Sequence, residues 1–407
     1  MTSRCRFVIS WLVAATLCAA SVQANDASPT TAKVNTYQDA NGTQFFALSL
    51  QPHGALSPAM ARDVLVLMDT SASQVGAYRT DGTDALKSIM RSLGSEDRIC
   101  VTAIDLDVVK LTDGFVSAKN AVGALKKLSA RTPLGSTDLV RGMQVASEVF
   151  SRDAQVARQV VYIGDGVSRA DLFSSEQFDA ISNQLAAQRI SFFAYAIGPD
   201  RDLGLMVSLA NLTGGHVFID AADVTGQQAG QAVAQALTSP VVWVTSELPS
   251  DLAAYPANMP PLRMDRDTGV VGMATSLPAS LDLSGEINGQ AIQLHWNVDA
   301  VTPNDDFAFL PKLIDLAKAD QGKSLPLMGT DSLASIRRMM LQQADHLAKI
   351  GQQAFASGNV QGAKILADEA AETRSNQHCG GSVAKDHCSQ QRRTSGRNAG
   401  TEGSRPI

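Results

Sequence analysis

Between residues 62 and 237, short apolar runs alternate with segments whose apolar residues recur at helical spacing. Asp63–Met68 is an almost unbroken apolar run, which indicates a strand buried on both faces. Further strands are predicted at Arg98–Ile104, Gln159–Ile163, Ser191–Ile197 and His216–Ile219. The intervening helices are predicted at Thr83–Leu93, Ala121–Leu128, Leu139–Phe150, Glu176–Gln188, Met206–Thr213 and Ala229–Leu237. This alternation predicts an α/β fold with a doubly wound, mostly parallel sheet.

The flanking segments carry a different pattern, of short strands followed by helices. Thr43–Leu50 predicts a strand before the α/β domain, and strands are predicted after it at Val241–Thr245, Gly269–Gly272 and within Ser280–Val298. Because doubly wound domains bring their termini close together, the earlier strand is expected to pair with the later ones. We therefore predict that the α/β domain is inserted in a small β-sandwich.

Beyond Pro303 the chain is predicted to be helical. Asp306–Ala319 predicts one helix, and Ser332–Ala356 and Val360–Thr373 predict two more around the break Ser357-Gly358-Asn359. The last two resemble a tetratricopeptide-like hairpin, a unit that normally needs neighbours to bury its apolar face.

These patterns divide the chain into six parts. They are a signal peptide (1–24), an N-terminal segment with a strand of the β-sandwich (25–61), the α/β domain (62–237), a β-sandwich segment (238–302), a helical region (303–374) and a tail expected to be disordered (375–407).

The first 24 residues have the pattern of a secretory signal peptide. Arg4 and Arg6 precede the apolar run Phe7–Ala20, and Val22-Gln23-Ala24 provides a small-residue cleavage site. We expect an exported protein, located in the periplasm, at the cell surface or outside the cell. No later stretch is long and apolar enough to predict a membrane span.

Composition and charge limit the size of the fold and the kinds of function that the chain can have. The chain has 407 residues, of which 44% are hydrophobic, enough for two or three domains. Its net charge of −6 argues against nucleic-acid binding, which depends on neutralising phosphates. Cys100 is predicted to be a small buried hydrophobe. Cys379 and Cys388 each follow a histidine, and they form either a disulfide or a soft-metal site.

Candidate functional side chains lie where two predicted strands end and just before a predicted helix. Asp69, Ser71 and Ser73 alternate at the end of the first strand, Thr137 lies in Gly135-Ser-Thr-Asp138 before a helix, and Asp165 follows the strand at Gln159–Ile163. Ligands of open α/β sheets sit beyond the carboxyl ends of the strands. Carboxylate and hydroxyl oxygens suit hard divalent ions, Mg²⁺ first and Mn²⁺ or Ca²⁺ as alternatives. The simpler alternative is that Asp69 and Ser71 cap a helix and Asp165-Gly166 is a turn.

This order and spacing resembles the von Willebrand factor type A (VWA) domain, of the bacterial extracytoplasmic type, with its metal-ion-dependent adhesion site (MIDAS). The resemblance covers Arg62–Leu237. It implies that Ser71, Ser73 and Thr137 touch the metal, that Asp69 and Asp165 hold it directly or through water, and that one position stays open for an acidic group. This chain departs from the family at Gly164, where Thr or Ser is more usual, which removes a hydroxyl and predicts a lower affinity.

The resemblance implies an exported, metal-dependent protein-binding or adhesion module, whose partner presents Asp or Glu. We do not expect an enzyme, because no Ser–His or Cys–His pair and no Lys-bearing glycine loop accompanies the motif. The alternatives are a metal-dependent hydrolase and a structural scaffold with a vestigial metal site.

Five other polar residues are considered, and cation binding is one of two alternatives for the last two of them. His216 is expected to be structural at a strand start, and Asp105 and Asp138 are expected to be solvated. Asp265, with Asp267, either binds a cation or lies in a turn paired with Arg263 and Arg266.

Overall fold

The computed structural model describes residues 25–26, 30–53, 60–150, 156–171, 173–323, 348–357 and 359–368. The predicted signal peptide, Cys379, Cys388 and the tail 375–407 lie outside these residues. The two predicted hairpin helices lie partly outside them, and their described parts, 348–356 and 360–368, are helical. Within the described residues, no helix has both the length and the apolar character that a membrane crossing requires.

In the described part of the N-terminal segment, four strands precede the α/β domain. They are β1 (Asn25–Asp26), β2 (Thr30–Thr31), β3 (Lys33–Gln38) and β4 (Gln44–Leu50). The hairpin between β3 and β4 turns at Asp39, whose side chain accepts hydrogen bonds from the backbone N–H groups of Asn41 (2.9 Å) and Thr43 (2.8 Å). Such side-chain to backbone bonds are why Asp favours turns.

The central domain alternates strands with helices, as predicted. Its elements are β5 (Ala61–Asp69), α1 (Ala77–Ser92), β6 (Arg98–Ile104), β7 (Val108–Lys110), α2 (Val122–Ala130), α3 (Leu139–Val149), β8 (Val156–Gly164), α4 (Ser175–Ala187), β9 (Ile190–Ala196), α5 (Leu203–Thr213), β10 (Val217–Ile219) and α6 (Gly226–Leu237). The strand order is β10-β9-β8-β5-β6-β7, with only β7 antiparallel to its neighbour among these strands. The predicted doubly wound, mostly parallel sheet is confirmed.

Helices cover both faces of this sheet, so the strand at its centre is apolar on both sides. Along β5, Val64, Val66 and Met68 join one hydrophobic cluster, which includes residues of α1, α2 and α6. Leu65 and Leu67 join the other, with residues of α3, α4 and α5. Successive side chains of a strand point to opposite faces, which is why the buried strand reads as a continuous apolar run. Cys100 is buried in the second cluster, as predicted.

The first helix begins earlier than the sequence pattern indicates. We predicted Thr83 as its first residue, but α1 begins at Ala77. The extra turns contain Tyr78, Arg79, Thr80 and Asp81, whose polar side chains hide the helical spacing that is visible from Leu86 onward.

After the central domain, the residues that the structure describes add six short strands. They are β11 (Val241–Val244), β12 (Ala253–Tyr255), β13 (Leu262–Arg263), β14 (Thr268–Ala274), β15 (Ser280–Ile287) and β16 (Gln290–Asn297). Strand β14 pairs antiparallel with β4 over seven residues, so segments on either side of the central domain share a sheet. Residues of this sheet (β12-β14-β4-β3) and of the sheet that contains β11, β15 and β16 share one apolar cluster. The β-sandwich stays our interpretation of this pair of sheets.

A helix covers the outer face of the β4–β14 sheet. Helix α7 (Leu310–Asp320) packs Leu310, Leu313 and Ile314 against Phe45 and Val271. The predicted helix Asp306–Ala319 is wrong at its start, because Asp305–Phe307 is a separate 3-10 turn. A continuous helix would place Pro311 in its interior, where the ring clashes with the carbonyl four residues earlier.

The position of β5 determines where a ligand can bind. The chain leaves β5 for β6 on one side and later returns to β8 on the other, so the direction of winding changes at this strand. The carboxyl ends of β5 and β8 therefore flank the crevice in which open α/β sheets bind ligands.

Candidate metal centre

The two candidate aspartates lie side by side at the carboxyl edge of the sheet. Met68 pairs with Ile163 in the parallel register of β5 and β8, so Asp69 and Gly164 come next and Asp165 follows. Asp69 is 0% exposed and Asp165 is 3% exposed. The sequence pattern thus correctly placed both carboxylates at neighbouring strand ends.

Asp69 contacts residues from three chain segments. Its Oδ1 accepts a hydrogen bond from the backbone N–H of Ser71 at 2.8 Å. The hydroxyl of Thr137 lies 3.0 Å from Oδ1 and 2.9 Å from Oδ2, and the hydroxyl of Tyr162 donates to Oδ2 at 2.8 Å. Asp69 therefore brings together its own loop, the loop before α3 and strand β8.

The two candidate serines also lie together. The Ser71 and Ser73 hydroxyl oxygens are 2.9 Å apart, and Ser71 is buried beside Asp69. Gln74 holds the far side of this loop, because its amide donates to the carbonyl of Ile197 at 3.0 Å. All three hydroxyl residues predicted from the sequence thus lie in the loops that surround Asp69.

Asp165 is enclosed by its own loop and by the loop after β9. Its Oδ1 accepts a hydrogen bond from the backbone N–H of Val167 at 2.9 Å. A Cβ atom built on Gly198, whose φ is +143°, would lie 2.7 Å from the Cβ of Asp165 and 3.1 Å from Nε2 of Gln74. Gly166 has a φ of +75°, a conformation that glycine adopts without steric cost where the chain leaves this strand.

The loop that carries Thr137 is tied to the loop that carries Asp165. Asp138 is partly exposed and caps α3 by accepting a hydrogen bond from the backbone N–H of Arg141 at 2.9 Å. The Ser168 hydroxyl accepts from the backbone N–H of Leu139 at 3.0 Å. The backbone N–H of Ala170 donates to the carbonyl of Thr137 at 3.2 Å.

Asp105 was predicted to be a solvated charge, and this prediction is wrong because the residue is buried. It is 8% exposed, and its Oδ2 accepts from Arg131 Nη2 at 2.5 Å and from the Thr70 hydroxyl at 2.8 Å. Burial by itself raises the pKa of this carboxyl, but the hydrogen bonds from Arg131 and Thr70 outweigh it and hold the pKa below the ordinary value. This network anchors Thr70, which lies between Asp69 and Ser71.

The Asp69 and Asp165 carboxylates are buried without a basic partner. Within the described residues, no ion pair closer than 4.0 Å involves Asp69 or Asp165. Burial raises the pKa of Asp69 above its ordinary value, and the charge of Asp165 contributes to the rise. Two buried anionic groups without a cation are costly, so this arrangement favours an added positive charge.

The space beside Gly164 is filled by a tyrosine that the sequence analysis overlooked. A Cβ atom built on Gly164 would lie 2.5 Å from the Cβ of Asp69 and 2.5 Å from the hydroxyl of Tyr162. Tyr162 is fully buried, and burial raises its pKa well above the ordinary value, so the hydroxyl remains protonated. Tyr162 lies two residues before Gly164, so both residues are on the same face of β8. This spacing is the signal in the sequence that could have identified Tyr162.

The other polar residues considered from the sequence, His216, Asp265 and Asp267, contact neighbouring side chains in the structure. His216 packs against Phe218 in a tilted arrangement with ring centroids 4.6 Å apart, and burial lowers the pKa of His216 to about 4, in agreement with a structural role. Arg263 pairs with Asp265, as one of the two readings of this turn expected. Asp267 pairs instead with Lys33 at 3.1 Å, and Arg266 lies 3.4 Å from His216.

Comparison with known proteins identifies the central domain. Residues 62–219 match the family model for the von Willebrand factor type A domain. A solved structure described as von Willebrand factor type A from Catenulispora acidiphila is similar with a TM-score of 0.53 and 12% identity, over 87% of this chain and 88% of that one. The ArnB paralog VWA2 from Sulfolobus acidocaldarius matches with a TM-score of 0.43 and 14% identity, over 85% of this chain and 89% of that one. The match to the family model identifies residues 62–219 of this chain as a von Willebrand factor type A domain.

Proposed function

We propose that this chain is an exported binding module whose VWA domain holds a divalent cation and takes up an acidic group from a protein partner. VWA domains commonly mediate protein–protein interactions, often in a metal-dependent way. The observation that carries the proposal is the burial of Asp69 and Asp165 at one edge of the sheet, where no basic side chain of the described residues lies within 4.0 Å of either carboxylate.

The chemistry of the surrounding residues fits a hard divalent ion. Ser71, Ser73 and Thr137 supply hydroxyl oxygens, and Asp69 and Asp165 supply carboxylates, which are the ligand types that Mg²⁺ prefers and Mn²⁺ and Ca²⁺ accept. In this proposal the three hydroxyls touch the ion, while Asp69 and Asp165 hold it directly or through water. Because only a few protein groups of low formal charge would touch Mg²⁺ directly, the ion stays a strong Lewis acid that attracts an Asp or Glu carboxylate from outside.

In this proposal the same residues serve binding and not turnover. Among the described residues, each hydrogen bond that the Asp69 carboxylate accepts comes from a neutral hydroxyl or backbone donor. In this proposal both aspartates are occupied in holding the ion, which leaves neither as a general base. A hydrolase would show turnover of phosphoester or peptide substrates in the presence of Mg²⁺, and we expect none above background.

Export is part of the proposal because of the signal-peptide pattern in residues 1–24. The partner is then another exported or surface protein that presents Asp or Glu. Cell fractionation tests this part: the protein should leave the cytoplasm, and retention of the bulk of it there would overturn the assigned location.

Capture of the partner tests the binding function. The immobilised protein is incubated with the exported protein fraction in Mg²⁺ or in EDTA, next to the variants Asp69→Ala and Asp299→Ala. Asp299 is exposed and lies outside the VWA domain, so its replacement removes one carboxylate without touching the site. We expect a partner that is retained by wild type and Asp299→Ala in Mg²⁺ but lost in EDTA and with Asp69→Ala. A partner that is still retained in EDTA and by the Asp69→Ala variant would contradict the proposal.

A further inference from the structure

We propose that Tyr162 is the positioning residue of the metal centre and that Gly164 is glycine in order to admit the Tyr162 hydroxyl. This inference rests on the proposed metal-binding function and adds a residue to it. It also revises the sequence-based expectation that Gly164 leaves this position without a hydroxyl.

The first argument is the pair of hydrogen bonds made by the tyrosine hydroxyl. Tyr162 donates to Oδ2 of Asp69 at 2.8 Å and accepts from the backbone N–H of Gly166 at 3.1 Å. One hydroxyl thus joins the end of β5 to the loop that follows β8, which are the two places that supply the carboxylates. Both of its hydrogen-bonding capacities, donor and acceptor, are used.

The second argument is steric. A Cβ atom at position 164 would lie 2.5 Å from the tyrosine oxygen, 2.7 Å from its Cζ and 2.5 Å from the Cβ of Asp69. Contacts this short force atoms to move, so any side chain at 164 displaces Tyr162, Asp69 or both. The backbone of Gly164 does not have a positive φ, which means that space and not conformation explains this glycine.

The third argument concerns the orientation of Asp69. With Ser71 N–H bound to Oδ1 and Tyr162 bound to Oδ2, the carboxylate is held from both ends and cannot rotate freely. Groups that orient metal ligands in this way typically contribute about 10–100-fold to metal affinity. We therefore assign to Tyr162 the task of fixing the Asp69 carboxylate toward Ser71, Ser73 and Thr137.

The test is Mg²⁺ titration of the Tyr162→Phe variant, with Tyr195→Phe as its matched control. Tyr195 is equally buried on the neighbouring strand β9, and its hydroxyl donates to Asp220 at 2.8 Å, away from the candidate ligands. We expect Tyr162→Phe to weaken Mg²⁺ binding about 10–100-fold, and Tyr195→Phe to leave it within about twofold of wild type. Urea unfolding of the metal-free proteins measures what each lost hydrogen bond costs in stability alone.

A purely structural role would lower the stability of both variants and leave both dissociation constants unchanged, and that result would overturn the inference while the proposed function stands. If wild type binds no Mg²⁺, the proposed function fails and this inference fails with it.

Gly164→Ala gives a second test, because it keeps Tyr162 but places a methyl group in the space that the Tyr162 hydroxyl occupies. We expect a similar loss of affinity in that variant, and unchanged Mg²⁺ affinity would overturn the steric argument.

Discussion

The hydroxyl oxygen of Thr137 lies 3.0 Å from Oδ1 and 2.9 Å from Oδ2 of Asp69, although 68 residues separate the two in the chain. This contact spans the gap between the end of β5 and the loop before α3. It shows that the fold brings these two sequence motifs into direct contact, as the position of both at one edge of the sheet requires.

The Thr137 hydroxyl gives the first prediction. Thr137→Val keeps the shape of the side chain but removes the oxygen, so we expect Mg²⁺ affinity to fall by more than about tenfold. Thr137→Ser keeps the oxygen and should retain affinity within about threefold of wild type. Calorimetric titration measures both, and equal affinities of the Val and Ser variants would exclude Thr137 as a ligand.

Asp69→Asn is expected to separate stability from metal binding. The amide is neutral and nearly isosteric, so it removes the cost of a buried charge next to Asp165. At pH 7 without metal, we expect this variant to melt a few degrees above wild type, the shift that about 1 kcal/mol produces in a domain of this size. Added Mg²⁺ should raise the melting temperature of wild type only. A metal-free variant less stable than wild type would contradict the electrostatic argument.

The raised pKa of Asp69 predicts how pH acts on the metal-free protein. A carboxyl whose pKa is higher in the folded state than its ordinary value of 3.8 binds its proton more tightly when folded. Its contribution to stability is full below pH 3.8 and is lost as the pH rises through the raised pKa.

The same shift predicts the pH dependence of Mg²⁺ binding. Protons compete with the ion for Asp69, so affinity should rise with pH over this range and then level off. Titrations at a series of pH values measure the slope. In Asp69→Asn the residual binding should lack this slope, and an unchanged slope there would assign the proton to another group.

Arg131 supplies a prediction about the support of the loop that contains Thr70. Arg131→Met leaves Asp105 buried without its cation, and we expect a loss of about 1–3 kcal/mol in the free energy of unfolding, less than for a fully buried pair because Arg131 is partly exposed. Arg131→Lys should restore little of this, since Nε and Nη2 both contact Asp105 Oδ2.

The control for Arg131 is Arg141→Met, which removes an exposed arginine from α3 nearby. We expect it to change stability by less than about 0.5 kcal/mol. Because Arg131 also contacts the Thr70 hydroxyl at 3.1 Å, its loss should weaken Mg²⁺ binding as well, whereas Arg141→Met should not. Equal effects of the two variants in urea unfolding would contradict the anchoring role of the Asp105 network.

The α/β architecture could be predicted from sequence because β5 and β8 are buried on both faces over their second halves, which contain the apolar runs of residues 64–68 and 160–163. The candidate ligands followed from the same pattern, since Asp69 and Asp165 follow those runs. Helix α1 was predicted to begin six residues too late, because its first turns present polar side chains and lack the apolar spacing that marks a buried helix face.

The long-range side-chain contacts around the site could not be predicted from the sequence pattern. Asp105 looked like a surface charge because nothing in the local sequence pairs it with Arg131, which lies 26 residues away. Tyr162 looked like one more buried residue of β8, since its partner Asp69 is 93 residues distant. Partners on separate segments are set by strand order and register, and these emerge only when the sheet is assembled.

Crystallography of the protein soaked in Mn²⁺ tests the central claim most directly, because the anomalous signal of the ion locates it without reference to any assumed site. We predict a single anomalous peak enclosed by the oxygens of Asp69, Ser71, Ser73, Thr137 and Asp165, and its absence from crystals of Asp69→Ala. A saturated crystal with no peak at this edge of the sheet, or with its peak elsewhere, would contradict the account.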